Sequence, residues 1–180
     1  MKYLWIILIC TLSFLYPFTK DAFSTELNKL NQNYSISFEA GATPQASTAF
    51  RLVWAYWIPK SIKLSHNINA SLRLELDMGI LDTTDTAFDI GFQPVVRIGY
   101  HKCKFKPYLD LGAGIHFLSR ANIDNRKLGG GHQFSLLAGT GFYIGSNISL
   151  GYRYFHISNA NIHSHNHGRD EHLGVISFYF

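Results

Sequence analysis

The chain has 180 residues, a hydrophobic fraction of 47% and a charged fraction of only 16%, against about 25% charged in an ordinary soluble domain. That length is one domain's worth, and a net charge of +4 from scattered Lys and Arg leaves no nucleic-acid footprint. Aromatic residues at 15% fit either an apolar soluble β domain or a membrane barrel.

Residues 1–24 read as a secretory signal peptide. Lys2 supplies the positive start, Leu4 to Leu15 is an almost unbroken apolar run, and Ala22 and Ser24 place small residues where a signal peptidase cuts. The run is short for a membrane-spanning helix, which takes ~20 residues. Residues 25–180 are then the expected mature chain, a single domain. With Cys10 in the signal, Cys103 stands alone and no internal disulfide can form.

From about Asn33 onward the sequence alternates at period two. Tyr34, Ile36, Phe38 and Ala40 share one face of the first strand, and Phe50, Leu52, Trp54, Tyr56 and Ile58 share one face of the second. Leu72 to Ile80, Phe88 to Tyr100, Leu109 to Phe117, Phe134 to Ile144, Ile148 to Tyr154 and Ile176 to Phe180 continue the pattern, giving eight expected strands. The opposite face carries Glu39, Arg51, Arg73, Glu75, Asp77, Asp89, Gln93, Arg97, Asp110 and Arg153, with many glycines.

That polar face decides the class. A soluble sandwich buries its apolar face and leaves charges in water. A small outer-membrane barrel turns its apolar face to lipid and pairs charges in a plugged lumen, where glycines relieve crowding. Strands of ~9–11 residues, an even count and a terminal aromatic favour an all-β, eight-stranded antiparallel up-and-down transmembrane β-barrel. A soluble lipocalin-like barrel is the alternative. Turns are expected at 101–104 and 145–147, and long polar loops at 119–132 and 159–169. Residues 59–69 read as a loop that is long for a periplasmic turn. Trp54 and Trp57 are expected in the wall or its interfacial girdle. Short turns on the periplasmic rim put the end of the seventh strand, His156 to Ser158, at the extracellular rim.

Phase then places three chemical groups together. Counting from Ile148 through Tyr154, His156 and Ser158 fall on the lipid-facing side; counting back from Phe180 through Ile176, so does Asp170, while Glu171 points inward. Histidine, serine and a carboxylate are the parts of an activated nucleophile. Polar groups on a lipid face need a reason, and an active site for a membrane-resident substrate supplies one. Ordinary interfacial polar residues are the alternative.

His156, Ser158, Asn159 and Ala160, then Asn166, Gly168 and Asp170, then a terminal strand, resemble the lipid A 3-O-deacylase (PagL) family of outer-membrane enzymes. The likeness extends through the run KPYLDLGAG at 106–114 and through Leu128 and Gly129. The resemblance implies a serine hydrolase site on the outer surface of an eight-stranded barrel, toward the outer leaflet, that removes the ester-linked acyl chain at position 3 of lipid A. It makes Ser158 the nucleophile, His156 the general base and Asp170 the acid, where the family usually has glutamate; Glu171 is the fallback. Asn166 matches a residue linked to the oxyanion hole, Asn161 stands where the family often has glycine, and Asn159 shapes the loop. No metal or organic cofactor is implied.

The implied partners are lipid A, as lipopolysaccharide, and the lipids of a Gram-negative outer membrane, with a homodimer left open. His163, His165, His167 and His172 fit a solvated or pH-sensitive loop better than a metal site, since alternate spacing is no ligand signature. Rival functions are a non-catalytic barrel serving as adhesin or scaffold, and an esterase acting on glycerophospholipids.

Overall fold

The computed structural model describes residues 32–44, 47–82, 86–123, 126–162 and 165–180; the expected signal at 1–24 lies outside the described residues. The strands are β1 (Tyr34–Ala42), β2 (Thr48–Ser65), β3 (Ile68–Asp82), β4 (Ala87–Tyr100), β5 (Pro107–Leu118), β6 (Asn122–Ile123), β7 (Arg126–Lys127), β8 (His132–Ile144), β9 (Ile148–Ser158) and β10 (Arg169–Tyr179). Eight of them close a barrel in the order β1-β10-β9-β8-β5-β4-β3-β2, every pair antiparallel, while β6 and β7 form a separate small hairpin. Reciprocal 3.0 Å bonds between the backbones of Tyr34 and Phe180 tie the two ends of the barrel chain.

Alternation sorts the residues onto two sides of one wall. Phe38, Phe50, Ile90, Ile115 and Leu136 are exposed outside, and Arg51, Arg73, Glu75, Asp77 and Arg153 are buried inside. The buried charges meet in pairs. Arg51 lies 2.9 Å from Asp77, 2.9 Å from Asp89 and 2.8 Å from Glu171, while Arg153 lies 2.8 Å from Glu39 and 3.0 Å from Glu75. Arg73 and Arg97 share Asp110 at 2.8 and 2.7 Å. A buried ion without such partners costs several kcal/mol, so the lumen is a network rather than a set of independent pairs.

Three features depart from the sequence reading. Residues 59–69 are largely strand: β2 runs to Ser65 and β3 begins at Ile68, leaving a turn at His66 and Asn67. Register shifts between Trp57 and Ser61, and between Lys63 and Ser65, hide the strand by breaking the alternation around Pro59, a residue confined to strand edges and bulges. Trp54 is exposed on the outside, but Trp57 turns into the lumen, where its Nε1–H donates to Ser35 Oγ at 3.0 Å and Arg73 stacks 4.9 Å from the ring centre. The lumen is also not polar throughout: Leu81, Val95, Leu137, Phe155, Ile157 and Leu173 pack with Ile123 and Leu128 from the long loop. That apolar plug lies toward the ends of β9 and β5, under the loops that follow them.

Candidate active site

The plug supports the site from within. In β9 Arg153, Phe155 and Ile157 are buried inside the barrel, which leaves Tyr152, Tyr154, His156 and Ser158 on the outer wall. In β10 Arg169, Glu171 and Leu173 are buried and Asp170 and His172 face out. The register places Asp170 directly opposite His156. His156 Nδ1 lies 2.7 Å from Asp170 Oδ1, with about a third of each side chain exposed (31% and 32%). Imidazole that gives its Nδ1–H to a carboxylate presents Nε2 as the basic atom.

Ser158 is one outward position beyond His156, half-buried, and pairs across the sheet with Phe134. Among the described residues its hydroxyl forms no hydrogen bond to His156, so the histidine–carboxylate contact is made and the serine lies beside it. Such contacts are often long before substrate arrives and tighten in the reacting complex. Glu171, the alternative acid, points the other way: it is buried and accepts bonds of 2.8 and 3.0 Å from Arg51.

The loop after Ser158 is held by amides. Asn159 is buried; its backbone N–H donates to Asn166 Oδ1 at 3.0 Å, and its Nδ2 donates to the carbonyls of Leu128 at 2.7 Å and His165 at 2.6 Å. Asn166 Nδ2 donates to Asn161 Oδ1 at 3.0 Å, which occupies one of its two N–H bonds and leaves the other as a donor. Ala160 and Asn161 adopt φ of 51° and 61°, a left-handed turn that asparagine tolerates better than most residues. Gly168 has φ +60°, and a Cβ there would sit 2.9 Å from His156 Cε1. Glycine is therefore favoured twice over, by backbone angle and by the imidazole against it.

Sequence reasoning missed two contacts. Tyr154 O–H donates to Asp170 Oδ1 at 2.6 Å; as an outward aromatic it counted as wall, though its place one outward position before His156 was a signal. Arg126, at the start of β7, donates to the carbonyls of His167 at 2.9 Å and Gly168 at 3.0 Å. It pins the strap that lies over His156, a link between two loops that spacing does not reveal.

The described histidines of residues 163–172 make contacts of their own. His172 Nδ1 is 2.5 Å from Tyr152 O–H, and His167 Nδ1 accepts from the Lys127 N–H at 3.4 Å. His163 lies outside the described residues. No group of three or more His, Cys, Asp or Glu able to hold a metal occurs among the described residues. Cys103 is a free, exposed thiol.

The model of the family described as lipid A 3-O-deacylase (PagL) matches residues 29–178. The chain belongs to this family. The lipid A 3-O-deacylase match spans every barrel strand but the last residue of β10. No significant match exists among curated proteins. Among solved structures, the crystal structure of the outer membrane enzyme PagL superposes with a TM-score of 0.76 at 21% identity, covering 79% of this chain and 97% of that one. The N-terminal β-barrel domain of Pseudomonas aeruginosa OprF gives a TM-score of 0.53 at 13% identity, covering 83% and 98%. A de novo designed transmembrane β-barrel gives 0.52 at 14%, covering 82% and 94%. These likenesses establish the fold as that of an eight-stranded outer-membrane barrel.

Proposed function

We infer that the protein is an outer-membrane serine esterase that hydrolyses the ester-linked 3-O-acyl chain of lipid A, the activity for which its family is described. The observation that carries this reading is the histidine–aspartate contact on the lipid-facing wall, one outward position before a serine. A carboxylate and an imidazole there carry a solvation cost that a purely structural wall avoids.

Ser158 Oγ attacks the ester carbonyl while His156 Nε2 takes its proton, and Asp170 holds the imidazolium through Nδ1–H. The tetrahedral oxyanion collapses, the C–O ester bond breaks, and His156 returns the proton to the departing sugar oxygen. Water, deprotonated by His156, then attacks the acyl-serine; the bond from Ser158 Oγ to the acyl carbon breaks, His156 returns the proton to Oγ, and the fatty acid leaves. The second N–H of Asn166 and a loop amide stabilise the oxyanion; a donor of this kind contributes about 3 kcal/mol in studied cases. His156, Ser158 and Asp170 all come from one chain, so the reaction needs no second copy, and a homodimer would serve another purpose.

The site faces the outer leaflet, where lipid A resides. Supporting this orientation, the two longest connections, between β5 and β8 and between β9 and β10, lie at the site's end of the barrel, and long loops of such barrels point outward. The test is Ser158→Ala and His156→Asn in folded barrels mixed with lipid A and, separately, with glycerophospholipids. Mass spectra should show loss of one hydroxyacyl chain from lipid A with wild type and neither variant. The same loss with all three proteins would remove the serine-esterase assignment.

A further inference from the structure

We propose that Tyr154 is a positioning residue of this active site, acting through Asp170 rather than on the substrate. The proposal rests on the assignment of Ser158, His156 and Asp170 given above. Tyr154 and His156 are successive outward residues of β9, and Asp170 on β10 stands opposite His156 and diagonal to Tyr154. Both donors converge on one oxygen: Tyr154 O–H at 2.6 Å and His156 Nδ1 at 2.7 Å reach Asp170 Oδ1.

Convergence on a single oxygen has a mechanical consequence. A carboxylate held by one donor can rotate about its terminal torsion and exchange its two oxygens, since that torsion is broad and roughly two-fold. A second donor on the same oxygen fixes which one faces the imidazole, and with it the tilt of the ring that must accept the serine proton. Aspartate carries its carboxylate on a single methylene, so little slack remains in the reach to His156.

The membrane setting gives the phenol a second task. An ionised carboxylate needs charge-assisted donors to replace lost water, and a lipid-facing wall offers little water. Tyrosine suits this place, because its ring is at home at a membrane interface while its hydroxyl reaches a polar partner. Its ring lies 5.4 Å from that of His172, which is itself 2.5 Å from the Tyr152 hydroxyl. Tyr154 is thus braced on the side away from His156.

The experiment is deacylation kinetics on lipid A for wild type, Tyr154→Phe, Asp170→Asn, the double variant and Ser158→Ala, each confirmed as a folded barrel by its heat-modifiable gel mobility. Phenylalanine keeps the ring and removes only the donor. Tyr154→Phe should lower kcat about tenfold or more, the scale of a hydrogen bond to a charged group, with KM unchanged. In the Asp170→Asn background the same substitution should cost less than about twofold, because the partner it acts on is gone. A rise in KM at constant kcat, an equal loss in both backgrounds, or no loss at all overturns the proposal.

A second readout is independent of turnover. The proton on His156 Nδ1 in the folded protein should change its NMR frequency on Tyr154→Phe, and an unmoved resonance also overturns the proposal. Ser158→Ala separates the two levels of inference. If it remains active, the esterase assignment fails; if it is inactive while Tyr154→Phe matches wild type, only the role of Tyr154 fails.

Discussion

Two histidine–aspartate pairs lie on opposite sides of the same barrel wall. Inside, His116 Nδ1 is 3.3 Å from Asp89 Oδ1 with both side chains fully buried; outside, His156 is 2.7 Å from Asp170 with about a third of each exposed. The inner aspartate is already gripped by two 2.9 Å bonds from Arg51, and the inner imidazole packs edge-on against Phe155 at 5.1 Å. Gly91 supplies the space, since a Cβ there would fall 2.1 Å from His116 Cε1. The outer pair has an open face, an outward serine next along β9 and a phenol on its carboxylate. Composition is the same on both sides; access and neighbours separate a structural pair from a candidate relay.

Exchanging the insult between the two pairs is the sharpest way to break this contrast. Asp170→Asn should lower lipid A deacylation by about a thousandfold or more, as loss of the orienting acid does in serine hydrolases, and leave thermal stability near wild type. Asp89→Asn should do the reverse. It removes a charge from Arg51 in the lumen and should cost about 3–5 kcal/mol of stability, read by heat-modifiable mobility, with the rate per folded molecule retained. A wild-type rate from Asp170→Asn in the lipid A assay would collapse the distinction.

Glu171 tests the same contrast within one strand, one residue from Asp170. Because β10 alternates, Glu171 sits in the lumen on Arg51 while Asp170 faces out. Glu171→Gln should destabilise the barrel by about 3 kcal/mol and change kcat by less than about twofold. A collapse of turnover in a barrel of wild-type stability would transfer the acid's role to Glu171.

This much was legible from phase alone. Two strands counted from opposite ends, Ile148 forward and Phe180 back, put His156, Ser158 and Asp170 on one face. The structure keeps that parity because a one-residue slip in register would turn every side chain to the wrong side of the wall. What phase could not show is what breaks or crosses it. The bulges around Pro59 hid the last third of β2, and Leu137, Phe155 and Leu173 form an apolar plug on the face otherwise marked by charge. Arg126 and Leu128 reach the site from a separate loop, a contact that no local spacing encodes.

Gly168 predicts a smaller effect that still belongs to the outer pair. Gly168→Ala forces a methyl to 2.9 Å from His156 Cε1 at a φ of +60°, so either the strap or the imidazole must move. A displacement near 1 Å at a catalytic group costs on the order of a hundredfold, and deacylation should fall by about ten- to a hundredfold with the barrel intact. The mirror test is Gly91→Ala, which crowds His116 and should reduce stability while sparing the rate.

The smallest expected effect lies at Asn161, where two causes can be pulled apart. Its φ of 61° favours glycine, and its Oδ1 accepts the 3.0 Å bond from Asn166. Asn161→Gly loses the bond but removes the backbone strain, whereas Asn161→Ala loses the bond and keeps a left-handed angle that alanine resists. The alanine variant should therefore be the less active of the two, by severalfold if the strain is worth about 1 kcal/mol. Equal rates would mean that the side-chain bond to Asn166, and not the turn, sets the loop beside Ser158. In that case the second N–H of Asn166 loses its fixed direction in both variants, and both should fall below wild type together.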